Sequence, residues 1–253
     1  MKIVDAFVIF LLACALTYNV FESTNSLEYS AAHFPVLDNL FIDDQFFLKE
    51  VQHVSKIECS ISCSREAKCV CFFYNYPARK CRLHSSRFYN VQEGTSVSNW
   101  TYYMLGEGWC PVHDGFIHER SYNMCIHISS GNFDDIYTAR SYCQSKGAAV
   151  ISANTQLRAT GLSNIMSKMN TTYIEFNDKG YYQLYIGLEY VNNTWTWDDG
   201  SVISSVQNWG KNDPDDIINH VCATICKTPD SSWNWTWNNV RCTAVMHVIC
   251  EIV

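Results

Sequence analysis

The stretch from Thr194 to Cys250 decides how this chain folds. It reads T-W-T-W-D-D-G-S from Thr194, N-W-G-K-N-D-P-D-D from Asn208, W-N-W-T-W-N-N-V-R-C from Trp233, and V-I-C up to Cys250. Its D-P-D motif puts a carboxylate on each side of a proline, and its N-N pair adds two amide oxygens. Charged and amide oxygens are the donors that a hard cation such as Ca²⁺ selects. Taken alone, an Asp/Pro cluster is more often a solvated turn, so the surrounding residues must decide.

The residues around this motif form a longer pattern of rare tryptophans and cysteines. The pattern comprises Tyr185-Ile186-Gly187-Leu188, Trp195, Trp197, Asp199-Gly200, Trp209, Cys222, Trp237-Asn238-Asn239, Cys242 and Ile249-Cys250-Glu251. In order and spacing it resembles the C-type lectin-like domain, from Cys110 to the last residue. The resemblance implies an α+β fold of two helices, two small antiparallel sheets and a long loop region. It also implies a Ca²⁺ in that loop region that holds sugar hydroxyls.

The resemblance assigns the ion and the carbohydrate to the same four residues, Asp213, Asp215, Asn238 and Asn239. Asp213 stands where the family has Glu or Gln, and Asn239 replaces an Asp. His220 stands where the family often has Glu, and imidazole is a poor Ca²⁺ ligand. Fewer anionic ligands weaken binding, and Asp216 is a possible substitute if the loop refolds.

Two functions therefore remain open. The first is a Ca²⁺-dependent carbohydrate binder, in which Trp233 or Trp235 stacks on the apolar face of the sugar. The second is a lectin-like domain that binds a protein without Ca²⁺. The resemblance implies glycans, or a cell-surface or secreted protein, as partners. The identity of the glycan, the oligomeric state and the biological role are not readable from the sequence.

Composition and motifs exclude several other classes of protein. The 253 residues suit one large or two small domains. A formal charge of -7 argues against nucleic acid and against an anionic membrane surface as partners. The sequence contains no G-x-S-x-G, H-E-x-x-H or phosphate-loop motif. We therefore predict a binding protein rather than an enzyme.

The cysteines and the first residues predict secretion. An apolar run from Ala6 to Leu16 follows Lys2, and A-C-A ending at Ala15 fits a cleavage signal. We predict a signal peptide at 1–15, a polar leader at 16–28, and no membrane span in the mature chain. Of the 13 cysteines, cleavage would remove one, Cys14, and leave an even number for disulfide pairing. Four glycosylation sequons agree with an extracellular protein: Asn99, Asn170, Asn192 and Asn234.

A second cysteine-rich pattern precedes the lectin-like one. Cys59 and Cys63 lie one turn apart in a predicted helix from Val54 to Cys63, with Val54, Ile57 and Ile61 on one side. C-F-F-Y from Cys71 and C-R-L from Cys81 are typical of the strands that follow. Together these motifs resemble the PAN/Apple module, a small disulfide-rich α+β domain. We assign it residues 29–105, followed by a linker at 106–109 and the lectin-like domain at 110–253.

Within the second domain, helices are predicted from Asp134 to Lys146 and from Asn154 to Lys168. The apolar stripe of the second helix includes Leu157, Leu162, Ile165 and Met166. Two cysteines, Cys71 and Cys226, have no family partner. They could bridge the domains or pair between chains. The resemblance implies the disulfide pairs Cys59–Cys81, Cys63–Cys69, Cys110–Cys125, Cys143–Cys250 and Cys222–Cys242.

Overall fold

The computed structural model describes residues 29–42, 46–88, 94–169, 180–203, 206–230 and 233–253. The predicted signal peptide, the leader and the Asn170 sequon lie outside the described residues. Within those ranges, every helix is too short or too polar to cross a bilayer. The strands are β1 (Tyr29–His33), β2 (Leu40–Phe41), β3 (Phe47–Gln52), β4 (Cys71–Asn75), β5 (Lys80–His84), β6 (Thr95–Ser96), β7 (Trp100–Glu107), β8 (Ile117–Glu119), β9 (Met124–Ile128), β10 (Ala149–Val150), β11 (Tyr182–Val191), β12 (Thr194–Trp197), β13 (Cys222–Lys227), β14 (Asn234–Val240) and β15 (His247–Ile252). The helices are α1 (Lys56–Arg65), α2 (Ile136–Ser145) and α3 (Gln156–Lys168).

The first half of the chain folds around an antiparallel sheet in the strand order β1-β7-β4-β5-β3. Successive side chains of a strand point to opposite faces, so the central strand β4 supplies two small cores. Phe72 packs on the face that carries α1, and Phe73 packs on the other face with Tyr102 and Phe88. Adjacent aromatic residues of the C-F-F-Y motif therefore contribute to the cores on opposite faces of the same sheet.

Helix α1 faces the sheet with its cysteines. It begins at a capping box, in which Ser55 and Glu58 each accept a hydrogen bond from the other's backbone N–H. Cys59 and Cys63 are fully buried. Ile57, which the spacing places on one side of the helix with Val54 and Ile61, is 69% exposed. It lies about 200° around the helix axis from Cys59, and the disulfide at Cys59 turns the cysteine face inward.

The second half of the chain forms one sheet in the order β14-β13-β11-β15-β9-β8, with β10 and β12 at its margins. The fold is the predicted lectin-like α+β fold, with one difference. The two predicted antiparallel sheets are joined, because β11 and β15 pair in parallel at Leu184–His247 and Tyr185–Val248. Helix α2 is capped by Asp135.

Helix α3 follows the N-cap Thr155 and packs on the main core of this half. Leu162, Ile165 and Met166 are buried there, as the apolar stripe predicts. The inclusion of Leu157 in that stripe is wrong, because its side chain is 59% exposed. Five residues along a helix correspond to a rotation of about 140°, which carries Leu157 away from the face of Leu162.

Within the described part of the chain there are five disulfides, and they join the pairs that the family resemblance implies. Cys71 and Cys226 form no disulfide, and both side chains are buried in their own half of the protein. The proposed bridge between them is therefore wrong, because each thiol lies inside a separate core. Burial also keeps both thiols from a neighbouring chain. The five bridges are Cys59–Cys81, Cys63–Cys69, Cys110–Cys125, Cys143–Cys250 and Cys222–Cys242.

The two halves are in direct contact. Strand β7 continues to Glu107, so Gly106 and Glu107 pair with β1 and the proposed linker begins inside the sheet. Arg120 Nε lies 3.2 Å from Glu107 Oε1. Arg120 Nη1 donates a hydrogen bond to the carbonyl of Cys69 at 2.8 Å. Lys168, at the end of α3, donates to the hydroxyl of Ser86 at 2.8 Å. The lectin-like half therefore rests on the N-terminal sheet through charged hydrogen bonds.

Candidate functional site

Tryptophan packing anchors the long loop that connects β12 to β13. The ring of Trp209 lies 4.8 Å from that of Trp195 and 5.8 Å from that of Trp237. The backbone N–H of Gly210 donates to the carbonyl of Trp237 at 2.8 Å, and the N–H of Trp237 donates to Asn208 at 2.7 Å. The D-P-D segment is thereby held beside β14, the strand that carries Asn238 and Asn239.

Asp213 points towards the interior rather than to solvent. The peptide bond between Asp213 and Pro214 is cis. Asp213 Oδ2 is buried, and no described residue hydrogen-bonds to it. A Cβ added at Gly210 would lie 2.8 Å from this oxygen and 3.1 Å from Thr236 Oγ1, so the glycine makes room for both. Burial, followed by the charge of Asp215, raises the pKa of Asp213 to about 6.

Asp215 lies on the opposite side of the proline and is exposed. One of its oxygens accepts a hydrogen bond from the backbone N–H of Asp216. That bond is the main cause of the lowered pKa of Asp215, and hydrogen bonding and charge from His220 lower it further. The imidazole Nδ1 of His220 lies 3.6 Å from Asp215 Oδ1. Asp215 therefore presents an ionised carboxylate to solvent.

Asn239 connects the two ends of the D-P-D loop. Its side chain is 3% exposed; Oδ1 accepts from the N–H of Asp215 at 3.1 Å, and Nδ2 donates to the carbonyl of His220 at 3.1 Å. An amide oxygen keeps a second lone pair. Both polar atoms of the Asn239 side chain are nevertheless already hydrogen-bonded. The main role of Asn239 in this arrangement is therefore to position Asp215 rather than to bind a cation itself.

Asn238 and Asp216 differ in whether their side-chain oxygens are already engaged in hydrogen bonds. Asn238 is half-buried on β14, and within the described residues its side chain makes no hydrogen bond to either carboxylate of the D-P-D motif. The carboxylate of Asp216 accepts from the N–H groups of Ile218 and Asn219, both at 3.2 Å, and from the Asn219 side chain at 2.8 Å. Asp216 therefore closes a turn and is not free to replace a missing ligand.

The two tryptophans proposed to stack on a sugar have different surroundings. Trp235 is fully buried, and its carbonyl accepts from Ser163 of α3 at 2.7 Å. A stacking role for Trp235 is therefore wrong. Trp233 is half-buried, with its ring 5.9 Å from that of Tyr181 and an edge close to Gly210. Of these two tryptophans, Trp233 is the one that lies next to the D-P-D loop with part of its surface accessible.

Sequence reasoning missed an apolar tip on the same loop. Ile218 is 86% exposed, and its neighbour Ile217 is exposed as well. The signal was present in the sequence, where two isoleucines interrupt the polar run D-D-I-I-N-H. Two adjacent exposed isoleucines beside a polar site provide an apolar contact surface.

The residues present fit a bound cation in part. Buried carboxylate oxygens are normally paired or bound to a metal, and Asp213 Oδ2 has no partner within the described ranges. Asp215 adds a second charge and Asn238 an amide oxygen, so these three suit Ca²⁺. A different cluster, Glu189 with Cys222 and Cys242, has ligand atoms within 4.8 Å of one another, but its two cysteines are bonded to each other.

The second half of the chain matches a known family. Residues 134–252 match the family model described as the Lectin C-type domain. This confirms the predicted lectin resemblance for these residues, whereas the PAN/Apple resemblance of the first half stays a prediction. No curated protein matches the chain in sequence.

Several solved structures are similar to the lectin-like half. Human lithostathine is 23% identical, with 56% of this chain and 90% of that chain covered and a TM-score of 0.44. The carbohydrate-recognition domain of the mouse scavenger receptor C-type lectin is 20% identical, with 56% and 95% covered and a TM-score of 0.43. The Ca²⁺-independent C-type lectin SPL-2 from Saxidomus purpuratus is 21% identical, with 56% and 93% covered and a TM-score of 0.44.

Proposed function

We propose, on the premise that residues 134–252 are a C-type lectin domain, that the long-loop face binds carbohydrate through a Ca²⁺ ion. Asp213, Asp215 and Asn238 would hold the ion, and Asn239 would hold the loop in position. The observation that carries this proposal is the buried oxygen of Asp213, which has no hydrogen-bond donor in the described part of the chain, on a carboxyl group whose pKa the charge of Asp215 helps to raise. A divalent cation would neutralise both carboxylates.

When bound, Ca²⁺ would supply coordination to two neighbouring hydroxyls of a sugar. The protein's own residues would fix the orientation of that sugar. The exposed oxygen of Asp215 accepts hydrogen bonds from hydroxyls, and the amide of Asn238 both donates and accepts them. The accessible part of Trp233 offers an aromatic surface to the apolar face of the ring. This arrangement is suited to binding a ligand.

The proposal includes an extracellular location. Five disulfides are typical of proteins that fold in an oxidising compartment. The sequon asparagines Asn99, Asn192 and Asn234 are exposed, as glycosylation requires. We further propose that residues 29–105 form a PAN/Apple-like module and 110–253 the lectin-like domain. A five-stranded sheet with one helix, joined by one disulfide to β5 and by another to the segment before β4, supports the first assignment.

A second candidate function is protein binding without Ca²⁺, and the exposed Ile218 favours it. A partner with an apolar patch would cover Ile217 and Ile218 while Asp215 stays at the rim. Affinity capture of secreted proteins in EDTA separates this function from the first. Ile218→Asp should lose the partner, and Ile57→Asp, at another exposed isoleucine that lies on α1, should keep it.

Calorimetric titration of Ca²⁺ at pH 7.5 tests the primary proposal. We expect saturable binding with a dissociation constant of about 10⁻⁴–10⁻³ M, the range of weak extracellular sites. Asp215→Ala should abolish it. The matched control is Asp114→Ala, at an exposed aspartate of the short turn before β8 that has no part in the loop. Absence of binding at about 10 mM Ca²⁺, or full binding by Asp215→Ala, would overturn the proposed ion site.

A glycan array then tests the carbohydrate, with and without EDTA. Asn234 is exposed at the start of β14, so a glycan attached there could crowd the loop face. Wild type and Asn234→Gln should therefore be compared side by side. Sugar binding that requires Ca²⁺ and is lost in Asp215→Ala supports the proposal. Ca²⁺ binding without any sugar signal in either protein would leave the ion with a purely structural role.

A further inference from the structure

A second concave site lies away from the D-P-D segment, where the W-D-D-G turn, the start of α3 and strand β15 meet. It is a cavity of about 300 Å³ that is lined by Trp109, Ser152, Asn154, Arg158, Asp199 and Glu251, among others. None of its lining residues belongs to the D-P-D loop or to β14. Its volume is at the lower end of the range for ligand pockets, roughly 300–1,000 Å³, and suits a single small ring.

One wall of the cavity is an immobilised indole. Trp109 is 38% exposed. Its Nε1 donates to Glu107 Oε2 at 3.0 Å, and its ring meets that of His118 edge to face at 5.0 Å. The indole is therefore held by contacts on its other side while part of its surface faces the cavity. A fixed aromatic surface with accessible area is what the apolar face of a pyranose packs against.

An ion pair between the buried Glu251 and the partly exposed Arg158 lines the cavity. Glu251 is 2% exposed and receives a hydrogen bond from Arg158 Nη2. Arg158 Nε also donates to the carbonyl of Ser152 at 2.9 Å. Its remaining nitrogen, Nη1, makes no hydrogen bond within the described residues and lies on a side chain that lines the cavity. A guanidinium oriented in this way offers a charge-assisted donor to a hydroxyl.

Acceptors lie beside this donor. Asn154 Nδ2 donates to Asp199 Oδ2 at 2.7 Å, which leaves Asn154 Oδ1 available as an acceptor. Asp199 is itself fixed, because its other oxygen accepts from the N–H of Ser201 at 2.8 Å. Donor and acceptors held rigidly next to an aromatic wall match the alternating donors and acceptors of a sugar's hydroxyls.

The charge of the cavity restricts the class of sugar. Glu251 balances Arg158. Asp198 also lines the cavity and is paired at 2.7 Å with Arg140, which it shares with Glu189. Asp199 remains as a net negative charge. An acidic sugar would meet this charge without a free cation to offset it, whereas a neutral hexose or an N-acetylhexosamine would not.

We propose that this cavity is a second, metal-independent carbohydrate site that takes one neutral monosaccharide unit. Trp109 stacks on the ring, Arg158 donates to one hydroxyl, and Asn154 and Asp199 accept from others. The site contains no residue of the proposed Ca²⁺ set and goes beyond the function proposed above. The two sites would let one molecule hold a glycan at two points, or two glycans at once.

The test uses the full mature protein in EDTA at pH 7.5, which removes any Ca²⁺-dependent binding. Saturation-transfer NMR and tryptophan fluorescence measure binding of the methyl glycosides of galactose, glucose, mannose and N-acetylglucosamine, with glucuronic acid as the acidic comparison. We expect at least one neutral glycoside to bind and glucuronic acid to bind more weakly. Trp109→Ala and Asn154→Ala should each weaken that binding about tenfold. Tyr76→Ala, which removes an exposed aromatic ring from the N-terminal half, should leave it unchanged.

Each outcome decides the proposal. Loss in both Trp109→Ala and Asn154→Ala, with retention in Asp215→Ala, supports it and is independent of the Ca²⁺ site. The absence of binding by every neutral glycoside in EDTA overturns it. Binding that survives both substitutions overturns it as well, because the sugar then binds elsewhere. Thermal melting of each variant separates loss of binding from loss of fold, and Asn154→Ala provides the answer if Trp109→Ala does not fold.

Discussion

Asp213 and Asp215 lie on either side of one proline, yet the pKa values of their carboxyl groups are shifted in opposite directions. Burial and the neighbouring charge raise the pKa of Asp213 to about 6. The backbone N–H of Asp216 is the main cause of the lowered pKa of Asp215. At neutral pH the loop thus holds a poorly solvated charge beside a well-solvated one. A divalent cation would relieve the repulsion between them.

Asp213→Asn should stabilise the metal-free protein. The folded-state pKa of Asp213 lies above its unfolded value, so the group favours folding at low pH and this contribution is lost as the pH rises through about 6. Asparagine keeps the shape and removes the charge. We expect a gain of about 1 kcal/mol in the free energy of unfolding at pH 7.5, reduced from the full shift because solvent screens a half-buried group.

Denaturant unfolding in EDTA measures this change. The same substitution should remove the stabilisation that millimolar Ca²⁺ gives to the wild type, since a charged ligand is lost. Asp114→Asn should behave as wild type in both conditions, because this aspartate is exposed and distant from the loop. A metal-free Asp213→Asn protein that is less stable than wild type would show that the Asp213 charge is compensated within the fold.

Cys71 and Cys226 should be present as reduced, unreactive thiols. Both side chains are fully buried, and burial is the first cause that raises the pKa of Cys226 to about 12, so it carries almost no thiolate at pH 8. Iodoacetamide should label neither residue in the native protein and both after denaturation without reductant. Peptide mapping by mass spectrometry measures the labelling of each cysteine. A peptide that links Cys71 to Cys226, or labelling of the native protein, would contradict the two separate cores.

The fold of the lectin-like half was predictable because its signals are local. The N-caps Asp135 and Thr155 immediately precede the helices that they begin, and the apolar stripe of α3 follows helical spacing. The join between the two sheets was not predictable. It depends on the parallel pairing of Leu184 with His247, which are 63 residues apart (247 − 184), and no local pattern encodes such a pairing.

The candidate site was predicted as a set of residues but not as a geometry. Trp233, Trp235 and Trp237 alternate in the sequence, which suggests one shared face. In the structure Trp235 and Trp237 do share the buried face of β14, but Trp233 lies before the strand begins and is only half-buried, so the three rings do not form one accessible surface. Likewise, the bonds of Asn239 to both ends of the loop arise only once β14 lies beside that loop.

Gly161→Ala should destabilise the protein although alanine favours helices. A Cβ at Gly161 would lie 2.5 Å from Cγ of Tyr122, a ring atom that cannot move aside easily. Overpacking of this kind typically costs about 1–3 kcal/mol, against a gain of roughly 1 kcal/mol in helix propensity. We expect a net loss of about 1 kcal/mol or more by thermal or denaturant unfolding. Gly131→Ala, whose Cβ would meet nothing within 4 Å, should change stability by less than about 0.5 kcal/mol. Equal stability of both variants would mean that α3 shifts away from Tyr122.

Acidification should weaken the contact between the two halves through His118. This histidine of β8 is buried, and its Nδ1 accepts a hydrogen bond from the N–H of Glu107 at 3.3 Å. Burial is the largest cause that lowers its pKa to about 4; the charges of Arg87 and Arg120 lower it further, and Glu107 opposes them.

The lowered pKa of His118 sets a pH window for this effect. The unfolded state takes up the proton near pH 6.5 and the folded state only near pH 4, so the stability from neutral His118 is full above about pH 6.5 and is lost as the pH falls towards 4. Melting temperatures measured across this range should fall with pH in the wild type and fall less in His118→Asn, which keeps an acceptor near the position of Nδ1. His113→Asn changes an exposed histidine in the short turn before β8. Its melting temperature should depend on pH as that of the wild type does. If the melting temperature fell equally with pH in all three proteins, groups other than His118 would govern the acid sensitivity of the contact between the two halves.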